Sequence, residues 1–136
     1  QGSDMVGVMT VVEAGEAMKS EYRKFKVRSL SSANDPAALK EVLARRLKHP
    51  EWPFPQLIVV DGNSVQKRAA ELVLKQQGFT IPVVAVVKNA QHKPERLIGQ
   101  KQLLKDYQEG ILLSNAEAHR FSITYHREKR NKRALL

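Results

Sequence analysis

Three titratable residues along the chain, two acids and a histidine, raise a question of role. "LIVVDGNSVQKRAAELVL" (57–74) runs four apolar residues into Asp61, then a Gly-Asn turn, then an amphipathic stripe. An acid at the end of a buried strand costs desolvation energy unless it has a partner. In open α/β sheets that end of the strand is also where ligands bind. Asp61 is therefore either a cap for the following helix or a chemical group. His119 sits in "AEAHRFSITYHREKRNKR" (116–133), where His119, Ile123 and His126 fall at i, i+4 and i+7 and so share one helical face. Asp35, in "SSANDPAALKEVLARRL" (31–47), precedes Pro36, and either Asn34 or Asp35 can cap the helix that Pro36 opens.

The chemistry that surrounds these residues is basic. The chain has 136 residues and a formal net charge of +9, a balance that favours a polyanion, above all nucleic acid, as partner. The charge is concentrated: residues 119–133 hold six Lys/Arg against one Glu. Arg120, Arg127, Lys129, Arg130, Lys132 and Arg133 suit phosphate contacts, which position a backbone without reading sequence. His126 lies among them, and Arg23 and Lys24 of a second basic patch (19–28) extend the track if the strand points them that way. There is no cysteine, which excludes disulfides and thiolate metal sites and fits a cytoplasmic protein. No apolar run approaches a membrane span.

A scaffold for these residues can be read in chain order. "VGVMTVV" (6–12) reads as a strand, "EAGE" (13–16) as a hairpin turn and "SEYRKFKV" (20–27) as the returning strand. In that strand Tyr22, Lys24 and Lys26 alternate with Arg23, Phe25 and Val27. Ala37, Ala38, Val42, Leu43 and Leu47 make a helical stripe after Pro36. Trp52 and Phe54, in a proline-bounded loop, are expected on the core edge. Residues 56–60 and 81–88 read as buried strands joined by a helix over 64–78 that Gly78 closes, a right-handed parallel crossover. Residues 89–99 read as an irregular connection, and 100–133 as helix, interrupted at Gly110. The sum is one α/β domain over 1–136: a mixed sheet with flanking helices, by analogy an RNase H-like fold read from its second strand onward.

"SEYRKFKV", "ANDPAALKEVLARRL", "LIVVDGNSVQKRAAELVL", "IPVVAVVK" and "AEAHRFSITYHREKRNKR", in that order, resemble the C-terminal endonuclease domain of UvrC, the excinuclease subunit of bacterial nucleotide excision repair. The resemblance spans about 2–133, and its most specific pieces are the strand ending in Asp-Gly and the Glu-x-His-Arg-Phe segment before the basic run. It implies a metal-dependent endonuclease that cuts damaged double-stranded DNA 5′ to a lesion. It implies that Asp61 and His119 are catalytic and ligate Mg²⁺ or Mn²⁺, that Asp35 is a third catalytic acid, and that the site forms one small cleft. UvrB is the implied partner of the parent protein, through a segment outside this sequence.

Three features depart from the family. Asn63 stands where a second Gly is usual, and Asn can tolerate a left-handed turn there. The 89–110 stretch looks shorter and more polar. The first central strand, with an Asp-Asn-Ser-His-like motif, is expected to be missing, so the sequence reads as part of a larger protein whose 136 residues would not cut alone. Strands 6–12 and 56–60 are then expected either to stand about two strand spacings apart, roughly 9–10 Å, or to have moved together and paired directly. Two other readings compete with the nuclease: a non-catalytic nucleic-acid-binding module of the same fold, and an unrelated basic RNA-binding protein, which has no use for an acid beside its basic groove.

Overall fold

The computed structural model describes residues 5–28 and 36–135, with side chains up to 130. Its strands form three separate ladders. β1 (Val6–Met9) pairs antiparallel with β4 (Arg23–Lys26). Between them a minimal hairpin, β2 (Val12–Glu13) and β3 (Glu16–Ala17), turns through Ala14 and Gly15, both at positive φ. The third ladder joins β5 (Ile58–Asp61) parallel to β6 (Val83–Lys88), and β6 antiparallel to β7 (Pro94–Ile98). The expected strand over 6–12 is thus shorter, because the chain breaks at Thr10, whose hydroxyl donates to the Ser114 carbonyl oxygen at 2.9 Å.

The crossover between β5 and β6 is α2 (Ser64–Gln76). Its stop obeys the expected chemistry: Gly78 adopts φ 80, and the Phe79 N–H donates to the Leu74 carbonyl oxygen at 2.9 Å. β6 is apolar on both faces because both are covered. Val83 and Ala85 face Ala70, Val73 and Leu74 of α2 and Leu43 and Leu47 of α1 (Pro36–Leu47). Val84 and Val86 face Ile111, with Leu97 and Leu104 packed alongside.

Two expectations fail here. Residues 89–99 are not irregular, since they contain β7. Pro94 and the charged pair Glu95–Arg96 hide it, yet an edge strand tolerates both, since its outer N–H groups need no ladder partner and charge discourages pairing with another chain. The C-terminal helical stretch breaks at Tyr107, between α3 (Lys101–Asp106) and α4 (Gln108–Leu135), and not at Gly110. Gly110 lies within α4 and faces Val12.

In β4 the predicted alternation holds: Phe25 and Val27 are buried while Lys24 and Lys26 are exposed. Tyr22 is buried as well, on the other side of the strand, because α4 covers it. Trp52 packs edge-on to Phe25 and stacks on His49, and Phe54 meets Phe79, as the loop's proline bounds suggested. Of the two arrangements expected for β1 and β5, direct pairing does not occur. Among the described residues β1 has only β4 as a strand neighbour and β5 only β6.

Candidate active site

Asp61 is the last residue of β5, and the turn after it decides its role. The N-cap of α2 is Asn63, in extended conformation at φ −115 and not in a left-handed turn. Its side chain accepts the Val65 N–H at 2.9 Å, and the Gln66 side chain accepts the Asn63 N–H at 2.9 Å. This reciprocal box satisfies the orphan donors of the first turn. Gly62, at φ 144, makes room for it: a Cβ there would stand 2.6 Å from the Gln66 side-chain oxygen. The capping role is taken, and Asp61 is left half-exposed with Lys88 Nζ at 3.5 Å from Oδ1. Lys88 ends β6 and is largely buried, its side chain 12% exposed, so its charge is delivered to the carboxylate edge-on from the neighbouring strand.

His119 arrives from the other direction. It is exposed on α4, and its imidazole stacks on His92, ring centroids 5.7 Å apart and 19° from parallel. His92 lies in the tight turn between β6 and β7. Asp61 and His119 therefore belong to the same end of the parallel pair, Asp61 tied to the last residue of β6 and His119 to the turn beyond it. They make no hydrogen bond or ion pair with each other. Among the described residues no three of His, Cys, Asp and Glu are grouped so as to hold a metal ion. Asp35 lies outside the described residues.

The basic helix face divides in two. Nearer its start, Arg120 is exposed but engaged by its own helix. It donates two hydrogen bonds of 2.8 Å to Glu117, whose Oε1 also accepts the Tyr22 hydroxyl at 2.8 Å. The guanidinium contact, joined by the Tyr22 hydroxyl, holds the Glu117 carboxyl down at about 2 against the cost of its burial. Burial, joined by the hydrogen bond to Glu117, pushes the Tyr22 phenol up to about 12. Further along, His126, Arg127 and Arg130 are exposed. Lys129 lies 6.0 Å from the centroid of the Tyr125 ring. The side chains of Lys132 and Arg133 lie outside the described ones.

Of the second patch, Lys24 joins this face, its ammonium 4.5 Å from the Tyr125 centroid. Arg23 turns away, over Trp52 and onto the Ser20 and Tyr22 carbonyl oxygens. A cavity of about 510 Å³ lined by Leu74, Phe79, Ile81 and Pro82 lies at the far end of the parallel pair, where β6 begins, and has no part in this constellation.

Sequence reading missed Lys88 and His92. Lys88 was legible in principle, because "VVAVVK" ends a buried strand on a charge just as "LIVVD" does. His92 had no local signal, since its partner is 27 residues away in sequence.

Comparison with known proteins gives the family. Residues 1–129 match the family described as the UvrC RNAse H endonuclease domain. The chain is 40% identical over 138 residues to UvrABC system protein C of Caldicellulosiruptor saccharolyticus, a match covering 96% of this chain and 23% of the relative. It is 37% identical over 158 residues to the protein of that name from Clostridium perfringens strain SM101, covering 99% and 26%. For the Ligilactobacillus salivarius protein the figures are 39% over 145 residues, 99% and 25%. The chain thus spans about a quarter of the length of these curated relatives. The mixed α/β architecture, with parallel and antiparallel strands between helices, is consistent with an RNase H-like domain.

Proposed function

The chain belongs to the UvrC RNase H endonuclease domain family, and on that basis we propose that it hydrolyses a phosphodiester bond of damaged double-stranded DNA 5′ to a lesion, as the nuclease domain of a nucleotide excision repair protein. The observation that carries this reading is the strand-end acid with no capping duty: Asn63 and Gln66 close the helix, and Asp61 is left facing a cation.

A carboxylate oxygen is the donor that Mg²⁺ and Mn²⁺ prefer, and Asp61 offers one at the exposed end of β5 beside Lys88. Asp61 and His119 would hold the ion, with the remaining ligands supplied from outside the described residues, Asp35 among the candidates. Such an ion, when bound, activates water and stabilises the leaving oxygen. The chain's own residues do the rest. Lys88 keeps the Asp61 carboxylate oriented, and His119 presents at the same end of the sheet an imidazole with one ring nitrogen for the ion and the other bearing a proton. Arg127, Lys129 and Arg130, with His126 beside them and Lys132 and Arg133 next in sequence, would meet the phosphate backbone without reading sequence. UvrB is the proposed protein partner, outside this segment, and the cytoplasm the place of action. Among the described residues no helix is long and apolar enough to cross a membrane.

The test is a chimaera in which this chain replaces the matching quarter of the Caldicellulosiruptor relative. It should nick lesion-bearing duplex with Mg²⁺ or Mn²⁺ and stop when the metal is chelated. Asp61→Ala should lower the rate by about 100-fold or more, the scale of several kcal/mol of lost transition-state stabilisation. Undiminished nicking by Asp61→Ala would refute the assignment, and binding without nicking by the parent chimaera would leave a binding module.

A further inference from the structure

His119 stands on the solvent side of α4, where no described residue of its own helix holds the ring in one orientation. A catalytic imidazole loses effectiveness when it wanders, because reacting groups must be held near their working geometry. The ring that meets His119 is His92, and the turn that carries His92 is built with unusual care for an exposed loop.

The Asn89 N–H donates to the Lys93 carbonyl oxygen at 2.9 Å, and the His92 N–H donates to the Asn89 carbonyl oxygen at 3.0 Å. The Asn89 side-chain oxygen accepts both the Gln91 and the Lys93 N–H groups, at 2.9 and 3.1 Å. These four bonds hold His92 at φ 62, a left-handed conformation that costs a residue with a Cβ. The result is an imidazole laid within 19° of parallel on the His119 ring. The same turn is anchored at its start by Lys88, which reaches Asp61. One short segment, residues 88–92, thus touches both of the residues on which the nuclease reading depends.

We propose that His92 is a positioning residue of the nuclease site, fixing the orientation of the His119 imidazole by stacking on it from the rigid β6–β7 turn. The inference rests on the nuclease reading above and goes beyond it, since His92 itself need touch neither DNA nor metal. A flat ring is the property required, so phenylalanine should replace His92 and alanine should not.

Two measurements test this. In the 136-residue chain, His92→Ala should move the imidazole carbon-bound proton resonances of His119 at constant pH, and His92→Phe should keep a ring-current shift there. In the chimaera, His92→Ala should lower kcat by about 10- to 100-fold with KM unchanged, the range found for partners that orient a working side chain. His92→Phe should recover most of that loss, which a general loss of folding would not allow. His119 resonances that ignore His92→Ala would overturn the proposal, as would full incision by His92→Ala where His119→Ala has none. If His119→Ala itself cuts normally, the nuclease assignment of His119 fails and the positioning role falls with it, whatever the resonances show.

Discussion

The β5–α2–β6 unit and the β1–β4 hairpin are both small β-structures on the same helix, yet they are held in opposite ways. In the parallel unit Val84, Ala85 and Val86 are fully buried, covered by helices on both faces. In the hairpin all four residues of β1, Val-Gly-Val-Met, are only half-buried, although their composition is as apolar. α4 explains the contrast. Its first turns insert Ile111 into the parallel unit's core, whereas its next turns add polar bonds to the hairpin, Ser114 with Thr10 and Glu117 with Tyr22, beside the packing of Phe121 on Tyr22. One half of the molecule is joined to α4 by burial, which is indifferent to pH, and the other by the packing of Tyr22 on Phe121 together with a directed network that is not.

The largest difference should appear on truncation. Ile111→Ala, at 1% exposure, should cost about 2–5 kcal/mol of stability, and Val8→Ala in β1 less than about 1. Denaturant titration checks both, and equal losses would erase the contrast. Smaller, and different in kind, is the effect of cutting the network. Glu117→Gln should cost about 1 kcal/mol at neutral pH, most of it through the Tyr22 hydrogen bond because the Arg120 side of the pair is exposed.

That contribution carries a pH signature. Glu117 is depressed in the folded protein to about 2, so its stabilisation is complete above its usual 4.5 and fades as pH falls toward 2. Tyr22 is raised to about 12, so its share is complete below its usual 10 and fades as pH climbs toward 12. Melting curves across pH should show the acid fade in the parent and not in Glu117→Gln. The smallest effect on stability belongs to the outer half of α4. Neutralising Arg127, Lys129 and Arg130 together should lower melting less than Glu117→Gln does. It should also flatten the slope of log DNA affinity against log salt by roughly two to three. An unchanged slope moves the DNA surface elsewhere.

What the sequence made legible obeys the same division. The parallel unit could be read almost residue by residue, because continuous apolar strands and a helix between Asn63 and Gly78 are local signals. Asp61 was legible as a question, cap or chemistry, and the Asn63–Gln66 box takes the capping half of it. The hairpin was legible in outline, but Thr10 ending β1 depends on Ser114, more than a hundred residues away. β7 was hidden by a proline and charges that an edge strand accepts, and the helix break at Tyr107 is set by the fold and not by the glycine nearby. Arg120 reads as a phosphate contact from sequence alone, because the carboxylate that engages it is fixed in turn by a tyrosine on another element.

Two residues at the end of β5 carry different assignments: Asn63 caps α2, and the proposed chemistry falls to Asp61. Melting and incision, measured in parallel on Asp61→Asn and Asn63→Ala, separate the two roles. Asp61→Asn should melt with the parent and lose incision. Asn63→Ala should lose about 0.5–2 kcal/mol, the worth of an N-cap, and still cut when held below its lowered melting point. An Asp61→Asn variant that melts as low as Asn63→Ala while retaining incision would make Asp61 a structural residue and end the nuclease reading of this site.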